Sequence, residues 1–334
     1  MATIKDVARL AEVSTATVSR VLNGNGYVHL ETKERVAKAI QQLNYRPNDV
    51  ARSLYKGRSK MIALFVPDIM NPFFPELARA VEDMAKQHEY TFVLCNTDDD
   101  PEKEIAYIEA LKQKSLDGIV VVSSTMSGAY MKDFDLPVIA LDRILHKDLS
   151  SVTVNNKEGA LQAVEYLKEI GCKRIAHIAG PEHVSNAKQR LNGYLDAVKQ
   201  EDWFKYSYVE QGEYHFEEAK QATQRLLEKH PEIDGLFVAN DLMGVGALKA
   251  AEALGIRVPE DLSIIAFDGI TLGETTTPTL TTMAQPIYKI GARAAEMLIH
   301  QIEQIEQEKQ DEEFKVTLVE RDSTRNRREI HDNN

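Results

Sequence analysis

Hydrophobic positions in the first 45 residues recur at helical spacing. Ile4, Val7, Ala8 and Ala11 follow the i, i+3, i+4, i+7 pattern of one helix face, and so do Val36, Ala39, Ile40 and Leu43. Between them, Ser14 is placed to cap a segment whose apolar side is Val18, Val21 and Leu22, and Asn23-Gly24-Asn25-Gly26 ends it. Tyr45-Arg46-Pro47-Asn48 breaks the pattern, because the residue before a proline is pushed out of the α region. Asn48 then caps a further short helix, and 56–60 reads as a solvated linker.

From residue 61 the rhythm becomes strand, loop, helix. Apolar, β-rich runs fall at 61–67, 90–96, 118–122, 137–141, 174–179, 235–239 and 262–267. Helical stretches at 74–87, 158–170, 216–229 and 243–254 separate them. Such alternation predicts parallel sheets with helices on both faces. Two series of this kind predict two lobes, with a ligand cleft at the carboxyl ends of the strands. The charged stretch 306–313 is followed by one more strand at 315–319. The expected division is a helical head at 1–47, a hinge helix and linker at 48–60, and a two-lobed core at 61–334. Within the core, lobe 1 takes about 61–157 plus 288–318, and lobe 2 about 158–287 plus 319–334.

Composition narrows the class. With 334 residues, 43% of them apolar and 28% charged, the chain has room for two or three globular domains. No apolar run approaches the ~18–20 residues that span a bilayer. The N-terminus, Met1-Ala2-Thr3-Ile4-Lys5-Asp6, reaches an acid and polar residues too soon for a signal peptide, and two cysteines fit a reducing compartment. The expected location is the cytoplasm. The net charge of −12 is unevenly spread: residues 1–60 hold 11 Lys/Arg and 5 Asp/Glu, a net of +6, and the remainder carries −18. A polyanion would meet the head alone.

Helix, tight turn, helix on a basic segment is the helix-turn-helix pattern, although periodicity by itself also fits a helical docking module. In the DNA-reading case Arg20 is able to fork onto guanine, and Ala16 offers a methyl contact to thymine. The residues are more specific. Thr3-Ile4-Lys5-Asp6-Val7-Ala8, Val13-Ser14-x-x-Thr17-Val18-Ser19-Arg20-Val21-Leu22-Asn23 and Tyr45-Arg46-Pro47-Asn48-x-x-Ala51-Arg52-Ser53-Leu54 resemble the head of the lactose/galactose repressor (LacI/GalR) family over residues 3–54. That resemblance implies a homodimer on a palindromic operator. It implies DNA contact from Thr3, Ser14, Thr15, Ala16, Thr17, Arg20, Asn23 and Tyr45, with Thr15, Ala16 and Arg20 reading bases. It also implies a hinge helix carrying Asn48, Arg52, Leu54 and Lys56 that folds in the minor groove, where Leu54 wedges between base pairs. One departure is Glu12, in a turn where many members carry glycine.

In the core, polar motifs sit where strands should end: Asp68 to Phe74, Asp142-Arg143, Asn240-Asp241, Asp268-Gly269 and Gln285-Pro286, with Arg190 opening a helix. Arginines and carboxylates form paired, charge-assisted hydrogen bonds with vicinal hydroxyls, and phenylalanines cover the C–H faces of a sugar ring. Asp142 and Asp268 balance Arg143 and Arg190, which suits a neutral ligand. The core also resembles the periplasmic sugar-binding proteins, their ribose-binding branch above all. The ligand positions implied are Asn71, Phe73, Phe74, Asp142, Arg143, Arg190, Phe216, Asn240, Asp268 and Gln285. The fold class expected is therefore a helix-turn-helix head, a hinge helix and a periplasmic-binding-protein-like α/β core.

No G-x-G-x-x-G, Walker loop, G-x-S-x-G or H-E-x-x-H occurs, and the histidines have no metal-ligand spacing, so no catalytic residue, metal or cofactor is expected. Gly244-Val245-Gly246 lies inside a helix and reads as packing. The expectation is a repressor whose operator affinity is released by ribose. The alternatives are a regulator answering to another sugar, a sugar phosphate or a purine, or one using a phosphoprotein corepressor. A transport receptor is a further class, which the basic head and the missing signal peptide disfavour.

Overall fold

The computed structural model describes residues 2–24, 26–45, 59–123, 136–305 and 308–326. The chain forms two compact units, Met1–Ser59 and Lys60–Asn334.

The first unit is built on α1 (Ile4–Leu10), α2 (Thr15–Asn23) and α3 (Leu30–Gln42). Thr3 caps α1 in a capping box with Asp6: the Thr3 hydroxyl donates to the Asp6 carboxylate at 2.6 Å and accepts the Asp6 amide. Ser14 caps α2 by accepting the Thr17 amide at 3.1 Å. Val7, Ala8, Ala11, Val18, Val36 and Ala39 form the small core. Glu12, between α1 and α2, takes φ +52°, a conformation that glycine adopts more easily. Gly24 ends α2 at φ +65°.

The second unit has two sheets. The chain begins with β1 (Met61–Val66), α4 (Phe73–Gln87), β2 (Thr91–Asn96), α5 (Pro101–Lys112), β3 (Gly118–Val121), β4 (Val138–Leu141) and β5 (Ser150–Val154). It crosses to lobe 2 for α6 (Asn156–Glu169), β6 (Ile175–Ala179), α7 (Ser185–Val198), β7 (Val209–Gln211), α8 (Phe216–Lys229), β8 (Gly235–Val238), α9 (Asp241–Ala253), β9 (Ser263–Asp268) and β10 (Thr281–Ala284). It returns to lobe 1 for α10 (Ile287–Ile302) and β11 (Asp311–Phe314), then joins lobe 2 again through β12 (Thr317–Val319). The sheets run β11-β5-β4-β3-β1-β2 and β12-β10-β9-β8-β6-β7. Every pairing is parallel except β10 with β12.

The strand–helix alternation read from the sequence is thus the fold, and the approximate lobe limits at 157/158 and 287/288 lie within two residues of the crossings. Asn156 and Lys157 already belong to lobe 2, because α6 starts there and packs on α7. Ile287 opens α10, which packs on α4 of lobe 1. The strand expected at 315–319 is β12, shortened to Thr317–Val319, with Thr317 opposite Ala284; just before it β11 pairs with β5 in the other sheet. The chain therefore passes between lobes three times. The strand 311–314 escaped notice because Asp311, Glu312 and Glu313 hide its edge position behind charge. Gly246 is a packing residue as expected, since a Cβ there would lie 2.5 Å from the Phe216 carbonyl oxygen.

Candidate functional site

On the head, α2 presents Thr15, Ala16 and Arg20 to solvent, while Val18 is fully buried against the small core and Thr17 is half-buried. That division follows from the 3.6-residue repeat, which puts Val18 on the side facing the core and Thr15, Ala16 and Arg20 on the other. Thr3 and Ser14 spend their hydroxyls on capping, so their first role is to set the ends of α1 and α2. Tyr45 packs its ring against the core instead of standing free. Asn23 is the last residue of α2. Asn48, Arg52, Leu54 and Lys56 lie outside the described residues.

In the core, a cleft of about 570 Å³, part of it open to solvent, lies where the strands of both sheets end. Parallel sheets force this arrangement, since every strand but the antiparallel β12 delivers its carboxyl end and following loop to the same side. β1 leads to Asn71, Phe73 and Phe74, β4 to Asp142 and Arg143, β8 to Asn240 and β9 to Asp268, while Arg190 projects from α7, and all eight line the cleft. Asn71 accepts the Phe73 amide at 3.1 Å and so orients the start of α4. Phe73 and Phe74 meet edge to face, 5.3 Å between centroids, and both also belong to the lobe 1 core.

Arg190 is almost wholly buried. Its Nε donates to Asn156 Oδ1 at 2.9 Å, and its Nη1 donates to the Ala239 carbonyl at 2.6 Å and to Asp268 Oδ1 at 3.1 Å. The guanidinium lies 3.9 Å over the Phe267 ring. Asp268 Oδ1 also accepts from Gln285 Nε2 at 2.8 Å, which leaves its second oxygen for a ligand. Burial pushes the Asp268 carboxyl up to about 6 against the pull of Arg190. Burial likewise raises Asp142, opposed by Arg190 and Arg143. Asp142 Oδ1 and Arg143 Nε are buried without a hydrogen-bond partner, which is what a site for a hydroxyl-rich ligand leaves open. Both aspartates sit at strained backbone, Asp142 at φ +64° and Asp268 at φ +118°.

Two expected ligand residues stand elsewhere. Gln285 does not line the cleft: β10 ends beside β9 with Ala284 opposite Asp268, so Gln285 reaches the site only through the Asp268 carboxylate. Phe216 opens α8 off the cleft, and Tyr214 stands in the wall instead. Tyr214 lies so close to Gly180 that a Cβ there would come within 2.5 Å of its ring. Asp241 neither caps α9, which Asn240 does, nor faces the cleft. It accepts from the Gly269 amide (2.7 Å), the Ile270 amide (2.8 Å) and the Thr282 hydroxyl (2.6 Å). Trp203 stacks on Tyr208 within lobe 2.

The sequence reading missed Asn186, Tyr214, Asp99 and Glu213, all on the cleft wall, and left out Asp68, which lines it as well. Asn186 precedes Arg190 by one helical turn, a spacing that puts both on one face. Tyr214 follows β7, a three-residue strand too short to read from its pattern. Asp99 follows β2, whose end had been read, so the strand-end rule would have found it. Among the described residues, no cluster of three or more His, Cys, Asp or Glu could hold a metal, and no helix is long and apolar enough to cross a membrane.

A basic helix-turn-helix unit joined to a two-lobed core with a polar cleft defines a ligand-responsive DNA-binding regulator. The comparisons agree: residues 3–48 match the bacterial regulatory proteins of the lacI family, and residues 59–326 match the periplasmic binding proteins and sugar binding domain of the LacI family. The chain belongs to the LacI family. It is 48% identical over 325 residues to a ribose operon repressor of Halalkalibacterium halodurans, covering 97% of this chain and 98% of the relative. The structure of a lac repressor dimer bound to operator and an anti-inducer is similar over 97% of this chain and 99% of that one, with a TM-score of 0.87 and 26% identity. A LacI family transcriptional regulator from Enterococcus faecium with bound ribose covers 79% of this chain and 98% of its own, with a TM-score of 0.71 and 28% identity.

Proposed function

We propose that the protein is a cytoplasmic repressor that binds a palindromic operator as a homodimer and releases it when D-ribose closes the cleft. The observation that carries this reading is the convergence of Asn71, Phe73, Phe74, Asp142, Arg143, Arg190, Asn240 and Asp268 on one cavity. Arg190 and Asp268 supply a donor and an acceptor held in place for adjacent hydroxyls. Phe73 and Phe74 supply apolar faces for the ring carbons. Asp68, Asp99 and Glu213 add carboxylates to a wall whose cations are Arg143 and Arg190, so a phosphorylated sugar meets surplus negative charge. The likeness to a ribose operon repressor and to a ribose-bound regulator supports the same ligand.

On the head, the exposed Thr15, Ala16 and Arg20 are the base-reading set, and closure of the lobes is the event that weakens their hold. A coupling of ~1–3 kcal/mol corresponds to a ~5–150-fold change in operator affinity, and the operator weakens ribose binding by the same factor. Titration calorimetry of the full-length protein with ribose, other pentoses, ribose 5-phosphate and hypoxanthine tests the assignment. Saturable binding of ribose alone supports it. Binding of the phosphate ester or the purine in its place overturns the ligand and leaves the family intact.

A further inference from the structure

Asn186, the second residue of α7 in lobe 2, hydrogen-bonds straight across the cleft. Its Nδ2 donates to Asp142 Oδ2 in lobe 1 at 2.7 Å, and its Oδ1 accepts from the Tyr214 hydroxyl at 3.1 Å. Both Asn186 and Asp142 are 3% exposed. While Asp142 is ionised, the polarity of this chain of bonds is set. A carboxylate only accepts, so the amide must turn its NH₂ to Asp142 and its oxygen to Tyr214, whose hydroxyl must then donate. Each end has a rigid base: Tyr214 rests against Gly180, and Asp142 sits at the strained end of β4. Asp142 gives one oxygen to Asn186, and its other oxygen has no hydrogen-bond partner and remains for a ligand.

We propose that Asn186 is a positioning residue that latches the two lobes through Asp142 and thereby sets how much effector the repressor needs. The proposal rests on the reading that lobe closure releases the operator. The latch uses no atom of a ligand, so it favours the closed arrangement before any sugar arrives and persists afterwards. Removing it lowers the ratio of closed to open lobes by a set factor. Linkage divides that factor between two observables, tighter operator binding without sugar and weaker sugar binding, whose fold-changes multiply to the whole. A residue that merely touched the sugar would change the second and leave the first alone.

The test compares the wild-type protein with Asn186→Ala, Asn186→Asp and Tyr214→Phe, all full length. Operator affinity without sugar is read on a palindromic duplex selected by the wild-type protein from random-sequence DNA, and ribose affinity is read by calorimetry. For Asn186→Ala the expected result is operator binding several-fold tighter, with the two fold-changes multiplying to about ten, the scale of a hydrogen bond to a charged group. Asn186→Asp sets two carboxylates against each other and shifts further in the same direction, and Tyr214→Phe shifts less. Should Asn186→Asp fail to fold, the other two variants carry the test. Two fold-changes that multiply to less than about two in both Asn186→Ala and Tyr214→Phe overturn the latch. Absence of ribose binding to the wild-type protein overturns the effector reading instead, and the latch is then decided on operator affinity together with the affinity of whichever titrated ligand does bind.

Discussion

Arg190 Nη1 lies 3.1 Å from Asp268 Oδ1, and both side chains are withdrawn from solvent, 2% and 6% exposed. The pair joins α7 to the end of β9 and is the polar centre of lobe 2. Breaking one partner of a buried pair leaves the other charge unpaired, at a cost of ~3–5 kcal/mol. Arg190→Met therefore lowers the stability of the core by about that amount and abolishes ribose binding. Urea unfolding and calorimetry on the same preparation check both.

Asp268 carries a sign that pH reveals. Its folded carboxyl titrates near about 6, above the ordinary 3.8. The stability it contributes is therefore present below pH 3.8 and lost as the pH rises to about 6. A sugar hydroxyl donates to the ionised form, so ribose affinity is level above pH 7 and falls as the pH drops through 6. Asp268→Asn flattens that part of the profile, and a calorimetric series from pH 5 to 8 follows it.

Asp241 holds the loop after Asp268 by three hydrogen bonds, two from the Gly269 and Ile270 amides and one from the Thr282 hydroxyl. Burial pushes the Asp241 carboxyl up to about 8, so near neutral pH these are bonds to a largely uncharged group and contribute ~0.5–1.5 kcal/mol each. Asp241→Ala releases the strained backbone at Asp268 and weakens ribose binding by up to ~10-fold, on the scale of one such bond. Asp241→Asn keeps one acceptor oxygen for the two amides and recovers most of the loss. Equal losses in the two variants contradict this account.

The exposed Arg20 on α2 is suited to fork onto a guanine. Arg20→Ala costs ~1–3 kcal/mol of operator affinity and relaxes preference at one base pair per half-site. Binding measured on a panel of single-base operator variants reads that loss as a flattened response at one position only.

Glu12 tests the head by itself. A non-glycine residue at φ +52° carries strain of ~1–2 kcal/mol, part of which glycine removes. Glu12→Gly raises the melting temperature of the head and leaves the exposed face of α2 unchanged, so operator affinity stays within about two-fold while thermal unfolding of the 1–59 unit moves up.

The sequence by itself determined the helical head and the strand–helix alternation of the core. Those features are local: the 3.6-residue repeat around Val7 and Val36, the caps at Thr3 and Ser14, and apolar runs such as 61–67 are written in neighbouring positions. It also determined which strand ends carry chemistry, because a parallel sheet sends all of them to one side, and Asp142, Asn240 and Asp268 needed no coordinates to be placed there. Tertiary structure decided what those residues touch. Gln285 stands behind Asp268 through the register of β10 on β9, and Tyr214 occupies the wall that Phe216 was expected to hold. The bond from Asn186 to Asp142 across the cleft joins positions far apart in the chain. No periodicity encodes such a contact, since it depends on how two separately folded sheets come to face each other.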